Sequence, residues 1–535
     1  MKKLKSIPLH PLLWALFPPL ALLGNNISQI NPSITIRALL VVLALTLLLL
    51  GALRLIMRDW NKAAIVVTGF LVLFFSYGHI YNLIQNRILF GVNIGRHRVL
   101  ILLFIIALAL IIFGVTRRKD WLGLTMALNL IGAAALIFPL YQITSYRIRV
   151  PDPLASTTNQ ELQAQIANLT LPAGLNPPDI YYIILDTYTR ADTLEKYFSY
   201  DNSSFIESLQ SLGFYVAGCS QSNFSFTDLS LASSLNFNYP QTLSTSFSAA
   251  NKNISDIYPY ISDSGVAYAL HALGYRFEVI DSGYSPTELS NADVYYSPEG
   301  SWQNLFPVGG INSFESMLLN TSAGMLLYEF DTNLPSSVQA FLSAYVQHRE
   351  RILYALDVLD EIGTAPGPKF VFVHILAPHN PFVFGPGGEP IVRKTPFTLN
   401  DDQDVVKFED YAAGYRNQVT YLNQRMLGIV DSLIKNSNQP PIIIIQGDHG
   451  VPRLPGWEDT ILNAYYLPGT VDPDLYPSIS PVNTFRVIFN HYFAGQLPLL
   501  DDQSCKMNPS RDPYSCIPVV DPDPQCSALE RSQNP

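Results

Sequence analysis

The sequence predicts two bodies: an N-terminal helical membrane domain, then an α/β domain whose mostly parallel sheet is sandwiched by helices. Three observations predict this. Residues 1–150 carry 15 Lys and Arg against 2 Asp and Glu, and the remainder carries 18 against 41. A basic part beside a strongly acidic one suits two surroundings. Hydrophobic residues make up 48% of the chain and charged ones 14%, a balance that leans towards a membrane protein. From residue 179, short continuous apolar runs alternate with amphipathic helical patterns, as in a parallel sheet covered on both faces.

The membrane part comes first. Apolar stretches lie near 8–24, 37–57, 63–84, 98–116 and 121–144. A helix needs about 20 apolar residues to cross a bilayer, and the last four have them. The first is shorter, holds Pro18 and Pro19, and follows "MKKLK". A signal sequence is the alternative, but no small-residue cleavage site precedes "GNNIS" and further spans follow, so a first membrane helix is expected. With five spans, the basic segments "MKKLK", "RDWNK" and "TRRKD" share one side, which is then cytoplasmic; Arg87, Arg96 and Arg98 oppose this. Five spans put the chain after 145 outside the cytoplasm, in a multi-pass protein of the cell membrane. Four would put it inside.

The expected organisation is a five-helix membrane domain (1–145), a linker (146–178), an α/β domain (179–499) and a Cys- and Pro-rich tail (500–535). The linker is rich in Pro, Asn, Gln and Thr, with one short helix near "NQELQAQIAN". All four cysteines, Cys219, Cys505, Cys516 and Cys526, lie after the membrane part. In an exported domain they imply disulfides, one expected within the tail; free thiols in a cytosolic domain are the alternative.

Within the α/β domain, "IYYIIL" (180–185) is a buried-strand run ending at Asp186. "SSFIESLQSLGF" has helical spacing and a Gly213 stop, and "FYVAGC" follows as a strand. "VAYALHALGYRFEVI" repeats helix, glycine and strand. "KFVFVHIL" (369–376) is a strand, and the amphipathic "YRNQVTYLNQRMLGIVDSLIKNS" leads to the strand "PIIIIQ". "SPVNTFRVIFNHYF" (480–493) is a buried helix with a structural His491.

Functional groups in such sheets gather at the carboxyl ends of the strands. Three ends carry suitable residues: Asp186, then His374 and His379 in "FVFVHILAPHNPF", then Asp448 and His449 in "GDHG". Carboxylates with imidazoles suit zinc or manganese, with magnesium or calcium as further candidates. The bland reading of "GDHG" is a polar turn, and that of His374 a packed core histidine. In "CSQSNFSFTDLSLASSLN", leucines from 229 onward have near-helical spacing. Thr227 opens that helix, where a hydroxyl serves as an N-cap or as a nucleophile beside a cation. Ser225 is the competing nucleophile. The acidic domain gives no support for nucleic-acid binding, and nothing in the sequence sets an oligomeric state.

In order and rough spacing, Asp186, Thr227, "HILAPHNPF" and "GDHG" resemble the alkaline-phosphatase/sulfatase superfamily. Within it, the chain resembles the membrane-anchored group containing lipoteichoic-acid synthases and lipid A phosphoethanolamine transferases. The resemblance covers roughly residues 179–495 and implies an alkaline-phosphatase-like fold. It implies a divalent metal ion held by Asp186, Thr227, Asp448 and His449, Thr227 as the nucleophile, and His379, with His374, as the substrate-binding residues. Ser230 and Asn236 fit the synthase pattern. "TDLSL" departs from the sulfatase frame, with Leu229 and Leu231 where Pro and Arg would stand, which argues against sulfate ester hydrolysis.

The function the resemblance implies is transfer of a phosphoglycerol- or phosphoethanolamine-type head group from a phospholipid to a cell-surface glycan or glycolipid, through a threonine-linked intermediate. His379 would hold the phosphoryl group or protonate the leaving alkoxide. Alternatives are a phosphodiesterase, phosphatase or sulfatase-like hydrolase, and a non-catalytic membrane scaffold. A transporter is disfavoured because Asp59 and Asp120 sit at helix ends rather than within a span.

Overall fold

The computed structural model describes residues 7–149, 164–298, 313–329, 343–391, 397 and 407–526, apart from short internal breaks. The chain divides into two compact units. One comprises residues 1–149 and 301–347, the other residues 150–300 and 348–535.

In the first unit the five apolar stretches form helices α1 (His10–Asn25), α2 (Ile36–Met57), α3 (Trp60–Ile84), α4 (His97–Arg117) and α5 (Leu122–Arg149). Four of them, α2 to α5, are long and apolar enough to cross a membrane. At 16 residues, α1 spans about 24 Å, less than the roughly 30 Å of a bilayer core. It packs against α5, α2 and α3. At its start the His10 N–H donates to Asn129, and His10 Nδ1 lies 2.6 Å from the Thr68 hydroxyl.

Residues 301–347 interrupt the range expected for the α/β domain and belong with the helices instead. The helix Ser313–Asn320 buries Phe314 and Leu318 against Leu23 and Ala38. Buried Glu315 pairs with Arg37, Nε to Oε1 2.6 Å.

The second unit is built on a seven-stranded sheet. Its strands are β1 (Ile180–Leu185), β2 (Tyr215–Val216), β3 (Arg276–Ile280), β4 (Val294–Tyr296), β5 (Lys369–Ile375), β6 (Ile442–Gly447) and β7 (Asn463–Tyr466). Their order is β2-β7-β6-β1-β5-β3-β4. Among the described residues, the pairings in this sheet are parallel except those made by β7, which runs against both β6 and β2. The central strands β1, β5 and β6 are buried at every position, which is why they appear in the sequence as unbroken apolar runs. The main helices are α6 (Ala191–Phe198), α7 (Ser203–Ser211), α8 (Thr227–Leu235), α9 (Gly265–Ala272), α10 (Ala344–Glu361), α11 (Phe408–Asn436) and α12 (Pro481–Tyr492). One core face joins β1 residues Ile180, Tyr182 and Ile184 to Leu229 and Leu235 of α8 and Phe485 and Phe489 of α12.

Two expectations change. Most of the expected linker lies outside the described residues, but Ile166 and Leu169 are buried in this core, and α5 continues to Arg149. The tail is not merely a surface segment: Cys505–Asn508 pairs with Asp512–Pro518, and Asp521 and Cys526 are buried. The described disulfide joins Cys219 to Cys526 across 307 positions and ties the tail to the core. Cys505 is also disulfide-bonded. His491 sits at the end of α12, its Nε2 3.4 Å from Asp474.

Candidate active site

Register decides the centre of the site. Leu185 pairs with Ile375 on one side and Gly447 on the other. Asp186 and Asp448 therefore leave neighbouring strands at the same level. Ile184 pairs with His374 and Gln446, and residues two apart share a face. Asp186, His374 and Asp448 thus converge on one face at the carboxyl edge. Gly447 is required where β6 ends, because a Cβ there would lie 2.4 Å from the Tyr188 carbonyl oxygen.

The donor atoms lie close together. His374 Nε2 is 3.4 Å from Asp186 Oδ2 and 3.9 Å from Asp448 Oδ2. His449 Nε2 is 3.5 Å from Asp448 Oδ2 and 3.9 Å from Asp186 Oδ1. The Thr227 hydroxyl donates to Asp448 Oδ2 at 2.7 Å. Thr227 is the first residue of α8, and its side chain does not cap that helix. The hydroxyl instead faces Asp448, with the first turn of α8 behind it. Ser230 donates to the Asp448 carbonyl, and Asn236 accepts from the Gly265 N–H. The competing Ser225 donates to Asp459 at 2.6 Å.

Both imidazoles are aimed by a second contact. His449 Nδ1 lies 2.8 Å from the Gly450 carbonyl, which accepts only from a protonated nitrogen, so Nε2 is the ring atom turned towards the carboxylates. His374 Nδ1 lies 3.1 Å from the Thr287 hydroxyl, leaving its Nε2 towards Asp186. Thr187, with φ 60°, turns its N–H onto Asp448 Oδ1. The His379 N–H donates to the Asp186 carbonyl, and its Nδ1 contacts the Asn380 carbonyl.

Electrostatics follow from crowding. Burial would raise the Asp186 carboxyl, but His379, His374 and His449 outweigh it and hold the group well below the usual carboxylate range. Burial lowers His449 while Asp448 and Asp186 more than compensate, raising it. Asp228, next to Thr227, is pushed up to about 6 by burial, against hydrogen bonds from Tyr284 and Tyr258.

These residues fit a divalent cation. Asp186 Oδ1 and His374 Nε2 are buried without hydrogen-bond partners, although buried polar atoms are nearly always satisfied. Ligands each about 2.0–2.2 Å from one ion stand roughly 3.3–3.6 Å apart, close to the spacings above. Among the described residues, Asp186, His374 and Asp448 bring ligand atoms within 4.8 Å of one another, close enough to hold one metal ion. The structure thus places His374 among the charged side chains, not in an apolar core as its strand position suggests. The sequence reading also passed over Asp228, Tyr284, Thr287 and His348. Of these only Asp228 had a visible cue, its adjacency to Thr227.

No family model and no curated protein matches the chain. The chain is similar to the zinc complex of the C-terminal periplasmic domain of EptC from Escherichia coli, at 15% identity over 68% of this chain and 98% of that one, TM-score 0.43. It is also similar to the integral membrane lipooligosaccharide phosphoethanolamine transferase A from Neisseria meningitidis, at 12% identity over 86% and 88%, TM-score 0.29. A third is the lipoteichoic acid synthase LtaP from Listeria monocytogenes, at 12% identity over 63% and 79%, TM-score 0.34.

Proposed function

We propose that the chain is a membrane-bound, metal-dependent phosphoryl-group transferase that moves a phospho-head group from a phospholipid to a surface acceptor through Thr227. The observation that carries this reading is the Thr227 hydroxyl, 2.7 Å from Asp448, at a helix start and beside carboxylates and imidazoles with unsatisfied ligand atoms. Asp186, Asp448, His449 and the Thr227 hydroxyl would hold the cation, with His374 Nε2 as a further donor. Bound there, a divalent ion such as zinc or manganese supplies Lewis acidity that favours the ionised Thr227 oxygen and offsets phosphate charge.

The chain's own groups do the rest. Thr227 Oγ1 passes its proton to Asp448 Oδ2, to which it already donates, and bonds to phosphorus as the bond to the lipid glycerol oxygen breaks. The free N–H groups of the first turn of α8 favour charge on the phosphoryl oxygens. His379 gives a proton to the leaving alkoxide. In the second step an acceptor hydroxyl gives its proton to His379 and attacks phosphorus, releasing Thr227, which takes its proton back from Asp448. Two in-line displacements restore the configuration at phosphorus. Phosphatidylglycerol and phosphatidylethanolamine are the donors proposed, and a glycan or glycolipid the acceptor.

We place the α/β unit outside the cytoplasm of a multi-pass cell-membrane protein. Supporting this are the Cys219–Cys526 disulfide, a feature of oxidising compartments, and the packing of α1 against α2, α3 and α5.

Incubating the protein with phosphatidylglycerol or phosphatidylethanolamine vesicles and mapping phospho-adducts by mass spectrometry tests the reading. An adduct on Thr227 is expected, and Thr227→Ala should lower kcat/KM by about a thousandfold or more. An adduct on another residue, with full activity in Thr227→Ala, would overturn it. A hydrolase reading differs only in water replacing the acceptor, and product analysis separates the two.

A further inference from the structure

One buried histidine beside this centre is not used by the chemistry above. His348 lies in the first turns of α10 and is only 7% exposed, and its Nε2 is buried without a hydrogen-bond partner. Its position is fixed from two sides. One turn later on the same face, Arg351 pairs with Asp281, the residue that follows β3 at the carboxyl edge of the sheet. Gly283, with φ 74°, leaves room for that guanidinium, since a Cβ there would meet Arg351 Cδ at 2.7 Å. On the adjoining face Arg349 donates to the Gly388 carbonyl and lies over the Phe384 ring, in the segment after β5. The His348 ring itself stands edge-on to Phe397, centroids 5.6 Å apart.

These contacts hold the first turns of α10 at the carboxyl end of β3, the strand that pairs with β5. After burial, the groups whose charge acts on it are His379, Arg351 and Asp186. Burial together with two cationic neighbours lowers it to about 3, so the ring is neutral at physiological pH. A neutral imidazole is poorly suited to offset phosphate charge, and it is not an acid for a leaving alkoxide. It offers one directional hydrogen bond. A buried ring nitrogen without a partner is costly unless a ligand completes it.

We propose that His348 contacts the substrate, its Nε2 hydrogen-bonding a hydroxyl or ammonium of the group carried on phosphorus, and so sets which head group is transferred. This assignment rests on the transfer reading above and adds a specificity residue to it. A site built to pair with such a group discriminates against substrates that lack it, because the buried partner is then left unsatisfied.

The test uses the full-length, metal-loaded protein in detergent, as wild type, His348→Phe and His348→Gln. Substrates are phosphatidylglycerol vesicles, phosphatidylethanolamine vesicles, and methyl p-nitrophenyl phosphate, a diester with neither hydroxyl nor ammonium. The ratio of kcat/KM for the preferred lipid to that for the small diester should fall about tenfold or more in His348→Phe. His348→Gln, which keeps a polar end, should recover part of it. Should His348→Phe fail to fold, as judged by metal content, the ratio in His348→Gln decides, with a threefold fall or more expected. An equal loss on all substrates in the folded variants would overturn the assignment. If the wild type forms no Thr227 adduct and releases no head group from either vesicle, the transfer reading falls and the assignment with it.

Discussion

At the scale of single residues, the centre depends on side chains whose partners fix their direction. Thr287 is such a partner, since its hydroxyl lies 3.1 Å from His374 Nδ1. Thr287→Val removes that hydrogen bond at nearly constant volume and should weaken divalent-metal affinity about 10–100-fold, measured by chelator competition. His374→Ala should weaken it further; unchanged affinity there would remove His374 from the cage. His348 gives a pH dependence whose sign is fixed. Its folded pKa is lowered from 6.5 to about 3, so below 6.5 the unfolded chain takes up a proton that the folded chain refuses. Stability present above pH 6.5 is lost progressively as pH falls towards 3, by at most about 1.4 kcal/mol per unit. The urea midpoint of His348→Gln should fall less steeply over that window than that of the wild type.

At the scale of elements, the carboxyl ends of β1, β5 and β6 act as one platform because their registers coincide at Leu185. The loop before α8 is held from behind. Cys219 is bonded to Cys526, and Arg190 pairs with buried Asp521 at 2.7 Å. Gln221 donates to the same carboxylate. Cys526→Ser should cost about 2–4 kcal/mol, because the bridge restricts a very long loop in the unfolded chain. Denaturation under oxidising conditions measures this, and an unchanged midpoint would show that the tail adds nothing to stability. Asp186, Asp448 and His449 were legible in the sequence because a buried strand is a visible apolar run and its first polar residue marks the edge. The place of His374 was not legible. Alternation along β5 says that it faces one side of the sheet, but only pairing with Ile184 says which side and opposite what.

At the scale of the whole molecule, the two units carry different chemistry. The helical unit buries Arg37 against Glu315, a residue 278 positions away. The proposed topology has five crossings and places the α/β unit, with its Cys219–Cys526 disulfide, outside the cytoplasm. A cysteine introduced at exposed Ser203 should react with a membrane-impermeant maleimide in intact cells expressing the chain. Protection until lysis would require an even number of crossings and would reverse the topology. The linear order of the sequence hides that residues 301–347 belong with the helices, because the segment is short and its partners lie in distant helices.

The sequence by itself determined the membrane stretches, the buried parallel strands, and the carboxylate, imidazole and hydroxyl groups at their ends, all of which are written in local period and composition. Tertiary structure alone decided that His374 joins the carboxylates, that His348 arrives on α10 beside them, and that the tail clamps the loop before Thr227. Those outcomes follow from strand register, burial and pairing between residues hundreds of positions apart, for which a local pattern of apolar and polar side chains holds no record.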